Sequence, residues 1–95
     1  MIKVVAKFVI KSDRIEEMKS VCSDLIDETR KENGNISYEL YQDVNNPEIF
    51  SFIEEWESQE ALDQHMETDH FKKAEVHFGN FAAKDPEVNI YSLVK

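Results

Sequence analysis

The chain has 95 residues, of which 20 are acidic and 11 basic, and its formal net charge at pH 7 is −9. A chain of this length forms one domain and buries only about two-thirds of its unfolded surface, so help from a partner subunit is expected. The negative charge repels nucleic acid and anionic membranes, and neither is expected as a partner.

The sequence predicts a cytoplasmic protein with a single buried thiol. No apolar run approaches the roughly 20 residues that a membrane-spanning helix needs, and residues 1–5 read as a strand, not as the core of a signal peptide. Cys22 is the only cysteine, which excludes an intrachain disulfide and a cysteine-based zinc site. Its place on the apolar stripe of a helix predicts burial.

The first elements are a strand and a helix. Residues 2–10 alternate with a period of two, and the second face is itself half apolar, which predicts a strand covered on both sides. Ser12 or Asp13 is the expected cap of the following helix. Acidic residues in its first turn and basic residues in its last suit the helix dipole: Glu16, Glu17, Arg30 and Lys31.

A hairpin should come next. Asn33-Gly34 supplies the left-handed residue that ends the first helix. The runs 36–42 and 48–57 flank a turn at Asn45-Asn46-Pro47, so we expect them to pair as antiparallel strands.

The last third of the chain predicts two helices and a strand. Ser58 and Thr68 are the expected caps of a short helix and a longer one. Lys84-Asp85-Pro86 then breaks the pattern, and residues 88–94 read as the final strand. The order of elements predicts an α+β domain 1–95 of the ferredoxin-like split βαβ type, with helices on one face of an antiparallel sheet.

Helices cover only one side of such a sheet, yet the first and last strands carry apolar residues on both sides. The second face would therefore stay exposed in a monomer. This predicts a homodimer that packs sheet to sheet, most simply with two-fold symmetry.

The most informative polar residues fall between the hairpin and the last helix. Phe50, Phe52, Glu54 and Trp56 share one strand face, and this face should meet the helix that carries His65. An indole, a carboxylate and imidazoles around a small apolar pocket suit a flat organic ligand. Aromatic residues in such a stripe are more often core, and Glu54 could bond a histidine for structural reasons alone.

The histidines do not predict a metal site. A gap of five residues turns His65 and His70 to different helix faces, and Thr68 is expected to break the helix between them. His70 and His77 share a face but lie two turns apart. The acidic residues of the first helix are interpreted as a solvated face without a functional role: Asp24, Asp27, Glu28 and Glu32.

Three segments resemble the antibiotic biosynthesis monooxygenase family. They are residues 32–40 (ENGNISYEL), residues 52–58 (FIEEWES), and residues 61–65 (ALDQH) with the following His70-Phe71. Together they cover the middle of the chain, and the similarity extends over nearly all of it. The motifs are specific for the family and not for any one substrate.

The resemblance implies a dimeric α+β barrel that oxygenates a small quinol or phenol without metal, flavin or haem. A deprotonated dihydroxyaromatic can pass an electron to oxygen by itself, so the protein need only hold the ring, stabilise its oxyanion and exclude water. The residues expected to act in catalysis are His65, His70 and Glu54. Those expected to bind the aromatic substrate are Trp56, which would stack on the ring, and Tyr38, Phe52 and Phe71.

Three other functions remain open. Haem-degrading relatives are similar in fold but carry an asparagine on the first strand, where this chain has Ala6. Other relatives isomerise a phosphorylated quorum-signal metabolite, which requires basic residues for the phosphate, and Lys72, Lys73 and Lys84 form no obvious clamp. The third is a dimer that binds a small ligand without catalysis.

Overall fold

Four strands and three helices make up the fold in the computed structural model, which describes all 95 residues. The elements are β1 (Ile2–Val9), α1 (Ile15–Thr29), β2 (Asn35–Gln42), β3 (Ile49–Trp56), α2 (Gln59–Met66), α3 (Asp69–Phe81) and β4 (Glu87–Ser92). The strand order is β2-β3-β1-β4, and every neighbouring pair is antiparallel. This is the ferredoxin-like α+β arrangement, and the predicted fold is confirmed.

The core lies between the helices and one face of the sheet. Val4, Ala6, Phe52 and Glu54 stand opposite one another on β1 and β3, and all four are buried. The alternation in β3 is complete, since the residues of its other face are only half-buried. The strand face predicted from the period of two is therefore the one that the helices cover.

Two details of α1 differ from the sequence prediction. The helix begins after Arg14, which makes no side-chain capping bond, so the expected caps Ser12 and Asp13 lie outside it. It ends at Thr29, so the basic residues expected in its last turn fall in the turn that follows. A backbone bond from the Arg14 N–H to the Lys11 carbonyl tightens the entry to the helix.

Gly34 adopts the left-handed conformation at φ 84°, as predicted, but it enters β2 instead of closing α1. A β-carbon at this position would lie 2.6 Å from the Ala61 Cβ, so the turn also packs closely on α2. The Glu57 N–H donates to the Gly34 carbonyl at 2.8 Å, which ties the turn to the end of β3. Only glycine satisfies both the conformation and the close approach.

The two predicted caps in the second half are confirmed. The Ser58 hydroxyl accepts from the Ala61 N–H at the start of α2, and the Thr68 hydroxyl accepts from the Phe71 N–H at the start of α3. The Thr68 hydroxyl also donates to the His65 carbonyl at 2.7 Å. One side chain therefore ends α2 and begins α3, which makes the connection between these helices very short.

The face of the sheet opposite the helices carries no covering element. Val5 and Ile53 pair near its centre and are half-buried, while Tyr41 and Tyr91 toward its edges are 50% and 52% exposed. The edge strand β4 is exposed along its whole length. None of the three helices has the length and apolar character needed to span a membrane.

Candidate active site

A cavity of about 560 Å³ lies between the sheet and the helices. Its walls are mostly apolar and come from all four strands, all three helices and the segment after α3. Three buried residues with ionisable side chains share this wall: Tyr38, Glu54 and His65. Glu75, Lys84 and Asp85 contribute further charged groups to the lining. A mainly apolar cavity with a few convergent polar groups is the usual form of a small-molecule site.

Glu54 is held in place by its neighbour on the same strand face. The Trp56 indole N–H donates to Glu54 Oε1 at 3.0 Å, because residues two apart on a strand point to the same side. Burial raises the pKa of Glu54 to about 7; the charge of Glu32 adds to the rise, and the Trp56 hydrogen bond opposes it. A carboxyl group with this pKa can donate or accept a proton at neutral pH.

Tyr38 is a proton donor on the cavity wall. Burial raises the pKa of its phenol well above 10, and the negative charge of Glu54 raises it further. The phenol therefore stays protonated throughout the neutral range. The side chain of Tyr38 faces the helices and is only 3% exposed.

His65 is fixed in a cage of aromatic rings. The centroid of its imidazole lies 4.7 Å from that of Trp56, 5.0 Å from Phe71 and 5.4 Å from Tyr38. Burial lowers the pKa of His65 from its usual value of 6.5, and the hydrogen bond and charge of Glu32 work against this change. Since desolvation dominates, the ring is neutral at pH 7 and able to accept a proton.

Glu32 is the site residue that the sequence analysis missed. Its Oε2 lies 2.7 Å from Nδ1 of His65 and 2.7 Å from Nε2 of His70. The prediction that Glu32 belongs to the solvated face of the first helix is wrong, because α1 ends at Thr29 and Glu32 turns inward from the connection to β2. The signal in the sequence was its position directly before Asn33-Gly34. A residue next to the turn that ends a helix need not point to the side that the helical period predicts.

The prediction that His65 and His70 diverge is wrong. Their ring centroids lie 6.1 Å apart, and both rings contact Glu32. The break at Thr68 does not separate the two rings. Instead, the short connection between α2 and α3 redirects the chain and brings His70 back toward the end of α2.

The other predicted site residues lie in three different places. Phe52 and Phe71 line the cavity with Tyr38, Glu54 and His65. Trp56 has no exposed surface and is absent from the lining, so it supports Glu54 and His65 from behind. His70 lines a second, more polar groove between α1 and α3, where His77 and Lys73 also lie.

Glu32, His65 and His70 are also the residues that could hold a divalent metal ion. One ligand atom from each lies within 4.8 Å of the others, and imidazole and carboxylate are common ligands of zinc and iron. The same atoms already form the two hydrogen bonds. A metal ion would have to replace the protons in these bonds.

The family model described as antibiotic biosynthesis monooxygenase matches residues 1–76, which are most of the chain and include Glu32, Tyr38, Glu54, His65 and His70. The chain belongs to the antibiotic biosynthesis monooxygenase family. The resemblance found in the sequence motifs is therefore confirmed.

Similar proteins span several organisms. The uncharacterized protein sll1783 of Synechocystis sp. (strain ATCC 27184 / PCC 6803 / Kazusa) is 32% identical over 94 residues, which cover 99% of this chain. The chain spans only 64% of the length of that relative.

Two crystal structures share the fold of this family member. A conserved protein from Methanosarcina mazei Go1 is 43% identical with a TM-score of 0.93, and the match covers 95% of this chain and 89% of that one. A structure described as an antibiotic biosynthesis monooxygenase is 33% identical with a TM-score of 0.95 over the whole of both chains. These matches agree with the ferredoxin-like sheet and the position of its helices.

Proposed function

We propose that the protein is a cofactor-independent monooxygenase that oxidises a small quinol or phenol-like substrate. The observation that carries this proposal is the wall shared by Tyr38, Glu54 and His65 in an otherwise apolar cavity of about 560 Å³. An apolar cavity of this size suits a small aromatic molecule. Membership in the antibiotic biosynthesis monooxygenase family supports oxygenation as the class of reaction.

The three polar groups have complementary roles in the proposed reaction. His65, neutral at pH 7, takes the proton of a substrate hydroxyl group. Tyr38 donates a hydrogen bond to the resulting oxyanion, and Glu54 in its protonated form donates a second. Phe52 and Phe71 contact the ring, while Trp56 holds Glu54 and His65 in position.

The reaction balances without an external reductant. The phenolate passes one electron to O2, and the two radicals combine to form a carbon–oxygen bond on the ring. The ring carbon that carries the peroxide then loses its hydrogen as a proton while the O–O bond breaks. The outer oxygen takes up this proton and leaves as hydroxide, and the proton held by His65 converts the hydroxide to water. A hydroquinone and O2 thus give a hydroxyquinone and water.

Oxygen incorporation tests the proposal. Metal-stripped protein is mixed with a panel of hydroquinones under ¹⁸O₂, and we expect oxygen uptake with one ¹⁸O atom in the quinone product. His65→Gln should abolish the uptake, while His77→Gln, a change outside the cavity, should leave it intact. Oxygen uptake no faster than in protein-free buffer, across the panel, contradicts the proposal.

A binding protein without catalysis would give a different pattern. It would bind hydroquinones with an affinity that survives His65→Gln and would form no product. Isomerisation of a phosphorylated metabolite has less support, since Lys84 is the single lysine or arginine in the cavity lining and acidic Glu75 and Asp85 lie in the same wall. A phosphate site needs several cationic or N–H donors.

We also propose that the functional unit is a homodimer formed through the open face of the sheet. The half-buried Val5 and Ile53, with Tyr41 and Tyr91, give this face an apolar surface that no helix of the same chain covers. Lys3 and Glu55 lie on the same face and form an ion pair at 3.8 Å, so charge there is locally balanced. Two copies packed sheet to sheet would remove this surface from water.

A further inference from the structure

We propose that Glu32 is a positioning residue that sets the tautomers of both His65 and His70, so that His65 presents an unprotonated Nε2 to the cavity. This inference rests on the proposed function, because it assigns the atom that takes the substrate proton. The geometry alone restricts which nitrogen of each imidazole carries the proton. Oε2 of Glu32 lies 2.7 Å from Nδ1 of His65 and 2.7 Å from Nε2 of His70.

An ionised carboxylate only accepts hydrogen bonds. Each imidazole nitrogen that approaches Glu32 Oε2 at 2.7 Å must therefore carry a proton. The opposite tautomer would direct a nitrogen lone pair at a negative oxygen, an arrangement that is repulsive and here shielded from water. In neutral rings, His65 is then protonated at Nδ1 and His70 at Nε2, which leaves Nε2 of His65 as a base.

Burial makes this control effective. The side chain of His65 is 2% exposed and that of Glu32 is 13% exposed, so water competes little for their hydrogen bond. The aromatic cage of Trp56, Tyr38 and Phe71 prevents the ring from turning to exchange its two nitrogens. Ring orientation and proton position are therefore fixed together.

His70 has a different part in the arrangement. Its side chain is 23% exposed and lines the groove between α1 and α3, outside the substrate cavity. It supplies a second N–H to the same oxygen of Glu32, which stabilises the buried carboxylate and fixes its direction. His70 is thus a second positioning residue and does not contact the substrate.

The assignment also explains how the proton is held during the reaction. When Nε2 of His65 takes the substrate proton, the ring becomes an imidazolium ion whose Nδ1–H still donates to Glu32. The negative carboxylate stabilises this cation, and the same proton then returns from Nε2 to the departing hydroxide. No net charge enters or leaves the cavity.

Nitrogen NMR of the wild-type protein tests the proposal directly. The protein is labelled with ¹⁵N-histidine, and long-range ¹H–¹⁵N correlations are recorded at a pH where the imidazoles are neutral. We expect His65 as the Nδ1–H form and His70 as the Nε2–H form. Exposed His77, which has no carboxylate partner, serves as the internal reference.

Variants separate positioning from general damage to the fold. Glu32→Gln keeps the size of the side chain but adds an N–H donor, so we expect mixed tautomers for His65 and a kcat lowered roughly 100-fold or more. KM should change less than about threefold, because Glu32 is absent from the cavity lining. Glu17→Gln removes the same charge from an exposed position on α1 and should change neither property.

The tautomer of His65 in the wild-type spectrum decides between the possible outcomes. His65 found as the Nε2–H form in the wild-type protein overturns the proposal, even if the enzyme oxidises quinols. A wild-type spectrum with the expected tautomers supports it, even if no quinol is oxidised, and then only the proposed function fails. If Glu32→Gln does not fold, the wild-type spectrum still gives the answer.

Discussion

Burial favours the neutral forms of both Glu54 and His65, but the two shifts affect stability with opposite signs. The pKa of Glu54 is raised, so the folded protein holds this proton more tightly than the unfolded chain and loses stability as pH rises. The pKa of His65 is lowered, so its contribution is present above the unfolded value and is lost as pH falls. Comparison of single variants with the wild type separates the two effects.

Glu54→Gln tests the raised pKa of Glu54. The wild type should lose stability between about pH 4.5 and about pH 7, by up to about 3 kcal/mol from this group. Glutamine stays neutral, so the variant should gain relative to the wild type across this range. Urea unfolding at a series of pH values and one protein concentration measures the difference.

The matched control is Glu17→Gln on α1, where the carboxylate is 59% exposed and pairs with Arg14. This variant should follow the pH dependence of the wild type. If the difference in the free energy of unfolding between Glu54→Gln and the wild type stays constant across this pH range, Glu54 does not titrate within it.

At the scale of the elements, two connections build the site. The turn between α1 and β2 carries Glu32, and the cap between α2 and α3 carries Thr68, which bonds the His65 carbonyl and the Phe71 N–H. Both connections are tight, and neither leaves Glu32 or His70 free to move away from His65. The position of His65 in the cavity wall therefore depends on two turns that themselves contribute little to this wall.

Gly34→Ala tests the first of these connections. Alanine at φ 84° costs about 1–2 kcal/mol, and its Cβ would lie 2.6 Å from that of Ala61, so a further loss of stability is expected. Gly79→Ala is the matched control, since nothing lies within 4 Å of the added carbon. Because Gly79 is within α3, its replacement should stabilise the protein by about 1 kcal/mol.

Denaturant unfolding of both variants measures these changes. Equal effects of the two substitutions would contradict the special role of Gly34. A destabilised Gly34→Ala protein that keeps the wild-type histidine tautomers would show that the turn contributes to stability without directing Glu32.

At the scale of the whole molecule, the chain leaves one sheet face and one edge strand uncovered. The edge strand β4 is exposed along its length, although Val88 and Ile90 contribute to the cavity wall. An apolar face of this kind is typical of a surface that another subunit covers. The dimer proposed above follows from this imbalance.

Light scattering with a charge variant tests the dimer. The wild type at micromolar concentration should have a mass of about 22 kDa, twice the 11.1 kDa of one chain. Ile53→Lys places a charge at the centre of the open face and should give the monomer. Val44→Lys adds the same charge at a loop position that is 95% exposed and should stay dimeric, whereas a monomeric wild type contradicts the proposal.

The sequence alone determined the elements and most of their boundaries. The period of two in β1 and β3, the caps Ser58 and Thr68, and the hairpin turn after β2 are local patterns, and local patterns depend on residues close together in the chain. The same reasoning found the shared face of Phe52, Glu54 and Trp56, because alternation on one strand fixes which side chains are neighbours.

The assembly of the site depends on contacts between residues that are far apart in the chain. Glu32 meets His65 and His70 across 33 and 38 residues of chain, and no local period relates them. The inward turn of Glu32 depends on where α1 ends, and the approach of His70 depends on the angle between two helices. Trp56 supports the site from behind for the same reason, since its packing against His65 and Glu54 leaves none of its ring exposed in the cavity.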